Sequence, residues 1–289
     1  MWVVLSLFSA IWSAVANVFI KKWTEKIAPF PLLFILSVFN LPLIILALLF
    51  WVRIPHITPV FFILVLATNL LDILAYTCYF FALYYSAVSV VSPFAAFNPI
   101  FTTLLAIFFL QETPTPIKFF GVLLTVFGTY TLHIADAKIN VWAPFKKILN
   151  NKGVKLALVA QLLWSITPLL QKKAVFALSP PSPFFTVTVG MIFSALLLAV
   201  FNYRKSRQYV PNVRQHLYLF IFFGIMTILS FTAKYTAFSL QNVGYVSAVL
   251  KMSSLFSIIT GGVLLKEGRI KERLLGGSIM LAGAIIVSS

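Results

Sequence analysis

Ten apolar runs, each about the length of a bilayer crossing, fix what this chain can fold into. They lie at residues 2–20, 29–52, 59–84, 88–110, 115–134, 154–171, 180–203, 216–239, 243–265 and 270–287. A helix needs ~20 apolar residues to cross the hydrocarbon core. Inside lipid every backbone N–H and C=O must be satisfied within the protein, and a helix does this within each segment. The expected fold is therefore an all-α integral membrane protein with ten transmembrane helices. Composition agrees: 61% of the residues are hydrophobic and 10% charged, against about 45–50% and about 25% in soluble domains. The first run carries a small-residue triplet, Ala14-Val15-Ala16, that resembles a signal-peptide cleavage site. It has no basic residue before Lys21, so it is read as a helix.

The net charge of +16 is unusual for so apolar a chain, and its placement explains most of it. Loops after the first, third, fifth, seventh and ninth runs hold sixteen Lys and Arg, whereas the opposite side holds four: Arg53, Lys118, Lys172 and Lys173. The positive-inside rule puts the sixteen in the cytoplasm and both termini outside. A nucleic-acid partner is set aside, because these charges are spread over loops and not interleaved with stacking aromatics. Contact with membrane lipid fits them better. Trp2, Trp23, Trp51 and Trp142 lie near span ends, where an amphipathic ring suits the headgroup layer.

The two halves are copies. At an offset of 152, Trp12-Ser13 falls on Trp164-Ser165 and Lys21 on Lys173. At an offset of 155 the stretches 72–128 and 227–283 align over 57 positions, of which twelve are identical. Glu112/Glu267, Gly121/Gly276 and Gly128/Gly283 are among them. Residues 1–134 and 154–289 are thus expected to be five-helix repeats, with 135–153 as the linker. Five is odd, so the second repeat enters the membrane from the opposite side. That is the build of many secondary transporters, with substrate near the midplane.

Two segments carry a resemblance. Ala87 to Gly128 (AVSVVSPFAAFNPIFTTLLAIFFLQETPTPIKFFGVLLTVFG) and Gly244 to Gly283 (GYVSAVLKMSSLFSIITGGVLLKEGRIKERLLGGSIMLAG) each end a helix on Glu and follow it with a helix bearing Gly seven apart. They resemble the EamA repeat of the drug/metabolite transporter superfamily. The mid-span Pro of that pattern stands in the first copy as Pro93 and Pro99, while the second has Ala248 and Ser254. The resemblance implies ten helices in two fives and a secondary transporter of the inner membrane that moves small metabolites, often amino acids outward. Other branches move nucleotide sugars or phosphorylated sugars. It also implies cytoplasmic termini, the opposite of the orientation that the loop charges favour.

Ionisable residues at membrane depth cost ~2.5–3.5 kcal/mol each on insertion scales and mark functional sites. Three stand well inside a run, away from its ends: Asp72, Lys234 and Lys251. Polar residues at helical spacing accompany them. The third run has Thr68, Asn69, Asp72, Tyr76 and Tyr79; the eighth Thr227, Ser230, Lys234 and Gln241; the ninth Ser247, Lys251 and Ser254. The first run has Ser6, Ser9, Ser13 and Asn17, and its copy, the sixth, has Gln161, Ser165 and Pro168. Such stripes face away from lipid. A Ser or Thr taken singly is read as an interhelical hydrogen bond, whereas the lysines are read as ligand groups. The expected arrangement pairs Asp72 with one lysine and leaves the other for a substrate carboxylate. Tyr76, Tyr79, Trp12 and Trp164 are expected to line the apolar part, with Ser13, Ser165 and Ser247 beside them. Asp72 is also a candidate for proton coupling.

No G-x-x-x-x-G-K-[ST] motif is present, so energy must come from gradients or exchange. Cys78 is the single cysteine, and His56, His133 and His216 lack metal-site spacing, so no cofactor or metal is expected. An enzyme is not expected, since Asp72 is the sole acid at depth and no His lies there. Glu112 and Glu267 are expected to cap neighbouring helix starts. The glycine faces suit close helix packing, either within the chain or in a homodimer. The reading is a transporter of small polar metabolites such as amino acids or other carboxylates. A flippase or exchanger for lipid-linked or phosphorylated metabolites, and a passive channel, stand as alternatives.

Overall fold

The structure, a computed structural model, describes residues 1–50, 54–86, 91–137, 151–209, 213–264 and 270–289. Among these the α-helices are α1 (Trp2–Thr24), α2 (Pro29–Phe50), α3 (Pro59–Tyr85), α4 (Asn98–Leu110), α5 (Pro116–Ala137), α6 (Lys152–Phe176), α7 (Pro183–Ser206), α8 (Leu217–Leu240), α9 (Val243–Leu250), α10 (Met252–Leu264) and α11 (Ile270–Ser288). Seven are long and apolar enough to cross a membrane, if α4 is extended back to Pro93; the apolar stretches Pro116–Leu132 and Leu275–Ser288 are shorter. Large apolar side chains point outward, among them Ile63 at 65% exposure, Phe108 at 79% and Val200 at 74%. In water such surface would be a liability; in lipid it is the solvated face. The chain is an all-α, multi-pass membrane protein.

Local sequence explains where the helices start and stop. Asn151 caps α6, its side-chain oxygen accepting from the Val154 N–H at 3.1 Å and from the Ser86 hydroxyl at 2.6 Å. Ser182 caps α7 through the Phe185 N–H, with Pro183 in the first turn where its missing N–H costs nothing. The fourth apolar run departs from one continuous helix. Residues Ser92–Phe97 form a 3₁₀ turn before α4, because Pro93 and Pro99 lack the N–H an α-helix needs and crowd the carbonyl a turn earlier. The ninth run also divides, at Lys251, whose N–H is shared between the Ser247 and Ala248 carbonyls at 3.3 and 3.2 Å. Added to 155, the first interruption maps onto the second, so both copies break at the same place, one with proline and one without.

Other expectations change. The seventh apolar run, read as 180–203, is exceeded by its helix, since α7 runs to Ser206 and a 3₁₀ turn follows at Arg207–Tyr209. Trp23 is not a headgroup anchor: it is 5% exposed and packs edge-on against His216 and Phe220. Trp51 and Trp142, like most of the 135–153 linker, lie outside the described residues; α5 ends at Ala137 and α6 begins at Lys152. Two short strands, β1 (His56–Ile57) and β2 (Leu178–Ser179), pair antiparallel and tie the α2–α3 connection to the α6–α7 connection.

Helix contacts run between the halves. α2 packs on α7 and α5 on α11; α3 packs on α6, as α1 does on α8; α4 packs on α6, as α1 does on α10. The glycines make the α5–α11 crossing. A Cβ on Gly128 would lie 2.5 Å from the Met280 nitrogen and 2.8 Å from the Gly276 carbonyl oxygen, and one on Gly121 would lie 3.0 Å from the Gly283 carbonyl oxygen. The paired glycines of the two repeats thus meet each other inside one chain. Gly190 is different, its nearest such neighbour being Asn69 Nδ2 at 4.0 Å. Gly190→Ala is expected to leave stability unchanged or raise it by up to ~1 kcal/mol through helix propensity, read as a thermal midpoint at or above wild type.

Candidate functional site

The polar stripes of α1, α3 and α8 converge on a central cavity of about 270 Å³, and α2 and α7 complete its wall. α1 supplies Trp12 and Ser13, α3 supplies Thr68, Asn69, Asp72 and Tyr76, and α8 supplies Thr227, Ser230, Lys234 and Tyr235. Spacing of three and four residues puts Asn69, Asp72 and Tyr76 on one face of α3 and Thr227, Ser230 and Lys234 on one face of α8. The wall is set by hydrogen bonds between stripes: the Ser9 and Ser230 hydroxyls lie 3.0 Å apart, and Trp12 Nε1 donates to Thr227 Oγ1 at 3.3 Å. Many hydroxyls bond back to their own helix, as Ser13 does to Ser9 O and Thr68 to Leu64 O, both at 2.8 Å.

Both cavity charges are present without direct pairing. Among the described residues no ion pair joins Asp72 to Lys234, although they are close enough to attract one another across the space. The Lys234 ammonium instead lies 4.4 Å from the Phe231 ring centre and 5.5 Å from that of Tyr235. A cation over ring faces is held electrostatically yet keeps its hydrogen-bond donors for other partners. The expected Asp72–lysine ion pair is therefore replaced by a separated anion and cation facing one cavity.

The remaining candidates divide. Trp164 packs its ring against Tyr76 at 5.1 Å and Tyr79 at 5.5 Å, behind the wall. Neither Trp164 nor Tyr79 lines the cavity. Ser165, the copy of Ser13, is buried as a helix–helix latch, receiving a hydrogen bond from Asn98 Nδ2 at 2.9 Å and donating to Gln161 O at 2.6 Å. Ser247 is 4% exposed inside α9 and also stands apart from the cavity lining. Lys251 sits at the α9–α10 break and does not line it either. Depth along the membrane normal says nothing of the direction in which a residue faces around the bundle.

Sequence reasoning missed Ser37 and Asn40 of α2, Gln171 of α6 and Gly190 and Ser194 of α7, all in the cavity wall. Asn40 Oδ1 and Gln171 Oε1 are buried without a protein partner among the described residues. Buried acceptors of this kind are costly to leave unmade, which suits them to a bound donor. The signal was available for α2: Ser37 and Asn40 are one turn apart in an otherwise apolar run.

One face of the molecule carries a charged network that ties helix ends together. Lys172 Nζ donates to Glu112 Oε1 at 2.6 Å and to Gln241 O at 2.7 Å, and Glu112 Oε2 accepts from the Val243 N–H at 2.7 Å. Glu112 thus caps α9 in the other half of the chain, as its position implied, and ties the ends of α4, α6 and α8 to that start. Glu267 lies outside the described residues. The β1–β2 pair, reinforced by Thr58 Oγ1 donating to Ala177 O at 3.1 Å, lies at the same ends of the helices. Toward the opposite face the cavity lining extends to Ile20, Phe30 and Leu198. Glu112→Ala is expected to cost about 1–3 kcal/mol by leaving Lys172 and the α9 start short of partners, read as a lowered thermal midpoint in detergent.

Fold and site together define a polytopic helical membrane protein with a polar, aromatic-walled cavity between its halves. Residues 1–133 and 151–289 match the EamA-like transporter family, and the chain belongs to that family. It is a membrane transporter of the drug/metabolite type, and the family is not one of enzymes. No curated protein matches. A crystal structure described only as that of a protein superposes with a TM-score of 0.75 at 18% identity, covering 99% of this chain and 96% of that one. It supports the fold.

Proposed function

We propose that the chain is a secondary-active exporter of small zwitterionic or carboxylate metabolites, amino acids above all, at the inner (plasma) membrane. The observation that carries this is the pair Asp72 and Lys234, unlike charges that line one cavity without neutralising each other directly. An α-amino acid presents an ammonium to Asp72 and a carboxylate to Lys234, and Trp12, Tyr76 and Phe231 take its side chain. A volume of about 270 Å³ is at the small end of ligand pockets, which begin at roughly 300 Å³. Bulky nucleotide sugars are disfavoured by that size.

The mechanism follows from an inverted repeat of ten membrane segments. Contacts that exchange under the repeat, α3 with α6 against α1 with α8, support it, as do the equivalent breaks in the fourth and ninth runs. Rocking one repeat against the other would open the Glu112–Lys172 face while closing the basic one. With the sixteen loop charges in the cytoplasm, this conformation faces inward and both termini lie outside. Asp72, the acid that stands in the middle of an apolar run, is the proton-coupling group.

The test is counterflow in proteoliposomes loaded with mixed amino acids, alongside metabolite profiling of overexpressing cells. Saturable exchange of amino acids supports the proposal. Conductance without saturation, or competition only by lipid-linked substrates, overturns it. Asp72→Asn is expected to abolish proton-driven accumulation and flatten the pH profile, while an unchanged profile removes Asp72 from coupling.

A further inference from the structure

A second cavity, of about 290 Å³, lies between the early part of α2, the end of α7 and the start of α8. Phe34, Ile35, Val38 and Phe39 form one face of α2 there, with Val213 and Leu217 opposite. Two arginines, Arg207 and Arg214, stand at the same groove, and both are exposed. The Arg207 guanidinium lies 4.8 Å from the Tyr203 ring centre and donates to the Tyr203 hydroxyl at 2.8 Å. That contact fixes its direction and leaves its other N–H groups unassigned.

The charge around this groove is one-sided. Arg204 and Lys205 precede Arg207 by one turn or less, and no Asp or Glu occurs between Asp136 and Glu267. The α2 segment that walls the groove has none either. An apolar slot walled by helices that cross lipid, with two arginines at the level where those helices end, is complementary to a two-part ligand. An acyl chain suits the slot, and a phosphodiester suits guanidinium forks that bind oxyanions bidentately. Lysine and arginine clusters beside membrane helices also attract anionic lipid.

We propose that this groove binds one anionic glycerophospholipid, its phosphate at Arg207 and Arg214 and an acyl chain along Phe34, Val38 and Leu217. α2, α7 and α8 also wall the central cavity, so the lipid braces the helices around the transport site from their outer side.

The experiment uses the purified full-length chain in detergent. Thermal midpoints and lipid retention in native mass spectrometry are measured with dioleoyl phosphatidylglycerol, dioleoyl phosphatidylcholine and soluble glycerol 3-phosphate. The phosphatidylglycerol is expected to raise the midpoint by several degrees and to be retained at least fivefold over phosphatidylcholine, with no shift from glycerol 3-phosphate. Arg207→Gln with Arg214→Gln is expected to erase the preference, each shift being read against the variant's own lipid-free midpoint. Arg207→Lys with Arg214→Lys keeps the charge and much of the preference. Val38→Trp, which fills a 39% exposed position of the slot, is expected to lower retention with both arginines in place. Equal retention of the two lipids, a preference that survives the double glutamine variant, or equal protection by glycerol 3-phosphate overturns the proposal.

Discussion

Lys234→Met is expected to raise KM for a carboxylate-bearing substrate about 10- to 100-fold, with the folded yield kept. A hydrogen bond to a charged group contributes about 1.5–3 kcal/mol, and tenfold in affinity is about 1.4 kcal/mol. Methionine preserves the length and apolar stem of lysine, so the Phe231 and Tyr235 rings keep a neighbour while the ammonium is lost. Lys251→Met is the contrast. Lys251 lies at the α9–α10 break away from the cavity lining, so its replacement is expected to change KM by less than about twofold. It is also expected to leave the thermal midpoint unchanged or higher, because it removes a cation that costs ~2.5–3.5 kcal/mol at depth on insertion scales. Uptake into proteoliposomes across a substrate series reads both. A large KM effect at Lys251 with none at Lys234 would sink the assignment of the site.

Gly128→Leu is expected to prevent stable folding. The new Cβ alone would meet the Met280 nitrogen at 2.5 Å and the Gly276 carbonyl oxygen at 2.8 Å, both backbone atoms that no rotamer change can move. The α5–α11 crossing must then separate, and Met280, which is fully buried, loses its packing. Overpacking a core costs about 1–3 kcal/mol where side chains can yield, and the cost here exceeds that because backbone must. Size-exclusion chromatography of detergent extracts is expected to show aggregate in place of a single peak. Gly276→Leu should fail in the same way, being the other side of the contact. A monodisperse Gly128→Leu protein with a wild-type midpoint would mean that the crossing is looser than described.

Much of the site was legible in the one-dimensional pattern. Asp72 and Lys234 could be singled out because ionisable groups in an apolar run are costly, and Thr227, Ser230 and Tyr76 followed from helical spacing. Asn40 and Gln171 escaped because an amide is a weaker signal than a charge, and α2 is otherwise too apolar to attract notice. Ser165 and Ser13 are identical in the repeat alignment, yet one joins Asn98 in a buried latch while the other faces the cavity. Sequence identity between repeats fixes equivalent places in the fold, and the differing neighbours decide what each place does.

By itself the sequence determined that the chain is helical and spans a membrane, that its halves repeat, and which residues carry charge at depth. Those conclusions rest on periodicity, run length and insertion cost, which are local along the chain. Only the tertiary structure decided that Lys234 and not Lys251 shares a cavity with Asp72, that Glu112 caps a helix of the other half, and that the glycines meet within one chain. Each of these depends on the rotation of one helix about its axis relative to another. That angle is set by packing between residues a hundred or more positions apart, and no short-range pattern encodes it.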